Sequence, residues 1–125
     1  MADGGGTILM VEDYADLRDL IEEILRSAGY RVLMAPDGAA GLNLAREHDG
    51  EIDVLLTDIV MPGIRGPELA TRLRTARPML RVVYMSGYRD TEPLADVERG
   101  EAVFLAKPFV RAALLGAIAR VGTSA

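Results

Sequence analysis

Five polar residues stand where four apolar runs stop. Glu12 and Asp13 follow "TILMV", Asp58 closes "VLLTD", Ser86 closes "VVYMS", and Lys107 follows "VFLA" and precedes Pro108. If these ends meet, three carboxylates share one crevice, which is stable near neutral pH only with raised pKa values or a bound cation. An all-oxygen cluster with a single lysine favours a hard ion such as Mg²⁺, held through one or two carboxylates with waters completing an octahedron. Singly, each residue has an ordinary role. Asp58 ahead of Pro62 and Gly63 suits a turn, Glu12 and Asp13 suit a helix start, Ser86 before Gly87 is turn chemistry, and Lys107 is a solvated cation. Four such roles would have to coincide at four run ends, whereas a shared site needs only parallel strands.

The elements that position these groups can be read from periodicity. Ile8 to Val11, Arg31 to Met34, Val54 to Thr57, Val82 to Met85 and Ala102 to Leu105 are apolar segments of strand length. Leu17, Leu20, Ile21, Ile24, Leu25 and Ala28 form a helical stripe that Gly29 ends. Asp37 caps a second helix to about Glu47, Pro67 suits the first turn of a third reaching Ala76, and Val110, Leu114, Ile118 and Val121 mark a fifth. The fourth, Thr91 to Arg99, has a thin stripe of Leu94 and Val97, and Pro93 restricts its start. Strict alternation of strand and helix predicts an α/β fold, a doubly wound parallel sheet with helices on both faces and its site beyond the carboxyl ends of the strands. Continuous apolar strands predict burial on both sides.

A chain of 125 residues, half of them hydrophobic, suits one domain. We expect short flexible tails at 1–6 and 122–125 around a domain at 7–121. No cysteine is present, which excludes disulfides and thiolate metal sites. A formal charge of −5 disfavours nonspecific attraction to nucleic acid or an anionic membrane. No run approaches a membrane span, so a cytoplasmic protein without membrane insertion is expected. His48, the sole histidine, reads as a solvated helix-end residue without a catalytic role.

Together "LMVEDY", "APDGAAGL", "LLTDIVMPGIRG", "VVYMSGY" and "FLAKPF" resemble the receiver (response regulator) domains of two-component signalling, in that family's order and spacing over nearly the whole chain. The resemblance implies a flavodoxin-like receiver fold: a five-stranded parallel sheet in the order 2-1-3-4-5 with five helices. It implies that Asp58 is the phosphoacceptor, Asp13 a direct Mg²⁺ ligand, Glu12 a partner through water and the Val60 carbonyl a third protein ligand. Ser86 would meet the phosphoryl group, Lys107 would pair with it, Phe104 would be the aromatic switch, and the Lys107-Pro108 bond would be cis. Val60 and Tyr88 would flank the water that hydrolyses the phosphate, neither well suited to helping it.

The implied reaction is Mg²⁺-dependent transfer from the phosphohistidine of a histidine kinase or histidine phosphotransfer protein, with a switch at the surface of the fourth helix, fifth strand and fifth helix. The domain would catalyse its own phosphorylation and dephosphorylation without being a turnover enzyme. It would not bind nucleic acid directly, and its phosphorylated form would be a weak homodimer. With nothing after residue 125, output is expected to leave through a protein surface. "YMSGY" and "FLAKPF" most resemble the C-terminal receivers of hybrid histidine kinases. Glu12 and Ser86 replace the aspartate and threonine frequent in the family, and Gly41 an alanine, at about 1 kcal/mol of helix propensity. Two other functions compete. A Mg²⁺-dependent phosphatase usually needs a second acid at position 60, where Val60 stands, and an interaction module that no longer accepts phosphate would not need Asp13, Asp58, Ser86 and Lys107 together.

Overall fold

Alternate residues of the central strands divide between two cores, as a parallel sheet covered on both faces requires. In the computed structural model, which describes residues 5–87 and 94–122, Ile8, Met10, Val54 and Leu56 join one core while Leu9, Val11 and Leu55 join the other. The strands are β1 (Thr7–Val11), β2 (Arg31–Ala35), β3 (Val54–Asp58), β4 (Arg81–Ser86) and β5 (Ala102–Ala106). All four pairings are parallel, and the order is β2-β1-β3-β4-β5. This is the doubly wound, flavodoxin-like arrangement expected.

Five helices connect and follow the strands: α1 (Ala15–Ser27), α2 (Gly38–Glu47), α3 (Gly66–Ala76), α4 (Ala95–Glu98) and α5 (Arg111–Gly122). The apolar stripes of α1 and α5 cover one face with Ile21, Leu25, Leu114 and Ile118, and α2 and α3 cover the other with Ala45, Leu69 and Leu73. Gly29 ends α1 in the left-handed region at φ 98°, as a helix-terminating glycine does. Asp37 caps α2 by accepting the Ala40 N–H at 2.9 Å, and Pro67 sits in the first turn of α3. Gly41 has a packing reason: a Cβ there would lie 3.1 Å from Val11 Cγ2, so glycine lets α2 sit close on β1.

Four expectations need correction. The fourth helix is a single turn, Ala95–Glu98, not a helix to Arg99, and the Thr91 to Pro93 part of its expected span lies outside the described residues. Leu20, read as part of the buried stripe of α1, is 51% exposed, in the wall of an open groove that Pro108 and Phe109 also line. Val110 precedes α5 and is likewise exposed. The edge strands β2 and β5 are buried only in part, because each has a single neighbour. No helix among the described residues is long and apolar enough to cross a membrane.

Candidate functional site

Parallel register carries Glu12, Asp58, Ser86 and Lys107 to one edge of the sheet. Val11 pairs with Thr57, Asp58 with Met85, and Ser86 with Ala106, so the side chains that follow or close these strands emerge side by side. The edge is stitched by backbone: the Ile59 N–H donates to the Met85 carbonyl at 3.1 Å and the Lys107 N–H to the Ser86 carbonyl at 2.8 Å. The Lys107-Pro108 peptide is cis, as expected.

One oxygen from each of Glu12, Asp13 and Asp58 lies within 4.8 Å of the others. Glu12 is 1% and Asp58 5% exposed, whereas Asp13 faces solvent. The Lys107 ammonium bridges the two buried acids, 2.6 Å from Asp58 Oδ1 and 2.9 Å from Glu12 Oε1. Glu12 Oε2 accepts the Tyr14 N–H at 2.9 Å, and the Glu12 carbonyl accepts Arg18 Nη1 at 2.9 Å. Both Glu12 oxygens therefore have donors. Asp58 Oδ2 is buried and has no hydrogen-bond partner among the described residues.

Burial decides the electrostatics. Burial, aided by the neighbouring Glu12 carboxylate, pushes the Asp58 carboxyl up to about 7 against the pull of Lys107. Burial raises Glu12 too, yet the Tyr14 N–H and the Lys107 ammonium overcome it and hold Glu12 below the usual carboxylate range. Burial also works against the Lys107 charge, and hydrogen bonds to Asp58 and Glu12 more than offset it, so the lysine stays charged well above its ordinary range. A buried unpaired carboxylate oxygen beside two further acids is the donor set a hard divalent cation fits.

Of the remaining expected residues, Ser86 is buried at the end of β4, Val60 is 54% exposed just beyond Asp58, and Phe104 is 40% exposed on β5. Tyr88 lies outside the described residues. Sequence reasoning missed Arg18, although an arginine one helical turn after the Glu12 and Asp13 pair was a readable signal. It also missed Gly66, whose N–H donates to the Ile59 carbonyl at 2.9 Å and whose absent Cβ would run into the Asp58 carbonyl. Glu12 and Asp13 do not cap α1: its N-cap is Tyr14, without a side-chain cap.

Known proteins share this architecture. The family model described as "Response regulator receiver domain" matches residues 8–119. Sensor kinase CckA of Brucella abortus is 36% identical over 110 residues, covering 85% of this chain and 11% of that kinase. Response regulator receiver protein CpdR of the same organism is 36% identical over 104 residues, covering 82% of this chain and 84% of CpdR. The crystal structure of the receiver domain from hybrid histidine kinase CckA superposes with a TM-score of 0.78 at 33% identity, covering 93% of this chain and 99% of that one. The chain thus spans a small part of the CckA kinase and most of CpdR.

Proposed function

Because the chain belongs to the response regulator receiver domain family of two-component signalling, we propose that its 7–121 unit accepts a phosphoryl group on Asp58. The observation that carries this reading is the buried, unpartnered Asp58 Oδ2 within reach of Glu12 and Asp13, with Lys107 on the other oxygen. Asp58 attacks the phosphorus of a partner phosphohistidine in line. The P–O bond to Asp58 forms as the P–N bond breaks, and the imidazole nitrogen leaves with its electron pair. Such a reaction asks mainly for positioning and charge neutralisation. Asp13 and Asp58 directly, Glu12 through water and the Val60 carbonyl would hold Mg²⁺, which would supply charge neutralisation on the transferring group. Lys107 offsets further charge, and Ser86 offers its hydroxyl to the new phosphoryl oxygens.

The donor, a histidine kinase or histidine phosphotransfer protein, has a seat beside Lys107. A groove of about 530 Å³ is walled by Leu17, Leu20, Ile24, Pro108 and Phe109 and has Lys107 at its edge. Such a groove accepts the apolar face of a helix and brings a histidine on that helix toward Asp58. Once formed, the acyl phosphate draws Ser86 and Phe104 toward a second arrangement and alters the surface of α4, β5 and α5, where a weak homodimer of the phosphorylated form would assemble. The domain would work in the cytoplasm, without direct nucleic-acid contact, as a switch that promotes its own phosphorylation and hydrolysis rather than as a turnover enzyme.

Mass spectrometry tests the reading. A gain of ~80 Da is expected with a small phosphodonor and Mg²⁺, and none in Asp58→Asn. A gain that survives Asp58→Asn, or never occurs in the parent chain, overturns it.

A further inference from the structure

Tyr84 lies two residues before Ser86 on β4 and is wholly buried. Its hydroxyl donates to Asp96 Oδ2 at 2.7 Å, and Arg74 Nη1 donates to the same oxygen at 2.8 Å. The same guanidinium also reaches the carbonyls of Leu80 at 3.1 Å and Glu101 at 3.2 Å. One side chain from α3 thereby ties together the approach to β4, the body of α4 and the approach to β5. Burial and the Asp96 charge push the Tyr84 phenol far above its ordinary range, so it remains a donor.

This network matters because α4 cannot hold itself. It has four residues and no side-chain cap, and a helix that short has no stability of its own. Its place depends on buried Leu94, on partly buried Val97 packed against the same core, and on Asp96, the charged residue of the helix that is buried. Across the sheet, Tyr84 pairs in register with Phe104, their rings 6.5 Å apart and tilted by 49°. Behind Tyr84, between α3 and α4, lies a cleft of about 270 Å³ bordered by Pro67, Thr71 and Leu94. For the half-exposed Phe104 to turn inward, the Tyr84 ring or α4 must yield, and the hydrogen bonds to Asp96 oppose both movements.

We propose that Tyr84, Asp96 and Arg74 form a latch that holds α4 against β4 in the phosphate-free arrangement and so sets how readily the domain responds at Asp58. The latch rests on the phosphoacceptor reading above. Its members are positioning residues, acting through α4 and Phe104 rather than on the phosphoryl group. The hydrogen bonds coexist with Lys107 on Asp58 and Phe104 half out, so they belong to the resting state. Weakening a resting-state bond lowers the cost of leaving that state and tightens whatever binds the other one.

Titration of the whole chain with beryllofluoride and Mg²⁺, followed by backbone amide shifts, tests the latch. Tyr84→Phe keeps the ring and loses one oxygen. It is expected to bind beryllofluoride about three- to tenfold tighter than the parent chain, the range a lost hydrogen bond allows. Leu73→Ala, a core truncation in α3, is expected to leave the affinity unchanged although it lowers the melting temperature. If Tyr84→Phe fails to fold, Asp96→Asn, which keeps an acceptor and loses the charge facing Arg74, is expected to tighten binding in the same sense. Equal or weaker binding by the folded variant overturns the latch, as does equal tightening by Leu73→Ala. No binding by the parent chain overturns the phosphoacceptor reading and the latch with it, so the two failures are distinguishable.

Discussion

The strands that present the acids and the strand that would report on them are built differently. β1 and β3 are buried at every position and flanked on both sides, whereas β5 is buried only in part at the sheet edge, beside the one-turn α4. Glu12 and Asp58 are thus fixed by the centre of the molecule, while Phe104 sits half-exposed at the sheet edge, with Tyr84 and α4 as the barrier to its inward movement. Chemistry that needs fixed geometry is placed where packing is dense, and a response that needs two arrangements is placed where it is thin.

The largest expected effect tests the fixed side. Asp13→Ala should lower the rate of phosphorylation by small donors by about 100-fold or more, the scale of losing a direct ligand, and Glu12→Ala by less. Equal losses in a mass-spectrometric time course would refute the direct and water-mediated assignments. Next is charge. Asp58 holds its proton more tightly folded, up to about 7, than at its ordinary 3.8, so the metal-free fold loses stability as pH rises through that window. Asp58→Asn should therefore raise the melting temperature in chelator by roughly 5 °C at about pH 8 and by much less near pH 5. A gain that is independent of pH would mean that the burial of Asp58 carries no such cost.

A smaller effect concerns lifetime. Val60 has no polar atom to orient a water, so Val60→Asn should speed loss of phosphate from the isolated domain by up to about tenfold, or ~1.4 kcal/mol of barrier. Tyr88→Ala is expected to speed it as well. Unchanged or slower decay in both variants would remove these residues from the account. The smallest effect sharpens the contrast itself. Phe104→Ala should cost under about 1.5 kcal/mol in urea unfolding, against about 2–5 kcal/mol for Leu56→Ala in the buried centre. Equal costs would make β5 as rigid as β3.

Much of the site could be read from the chain because apolar runs that stop at polar residues also mark where parallel strands end. Glu12, Asp58, Ser86 and Lys107 need only that one inference to meet. The Tyr84, Asp96 and Arg74 network could not be read the same way. Tyr84 looks like any apolar strand residue, Asp96 lies in a helix with hardly any stripe, and the three meet only through tertiary packing across 10 to 22 residues of chain. Leu20 and Val110 show the converse limit. Periodicity tells which side of a helix is apolar, but where the neighbouring element stops decides whether that side is covered.

Gly66 carries a warning for any survey of sequence variants in this domain. The first residue of α3 passes so close behind Asp58 that a methyl group there would collide with the Asp58 carbonyl. Gly66→Ala would displace Asp58 without altering its carboxylate. A screen scored only by signalling output would therefore rank this position beside Asp58 and Lys107, although in place of a side chain it contributes only the space it leaves empty.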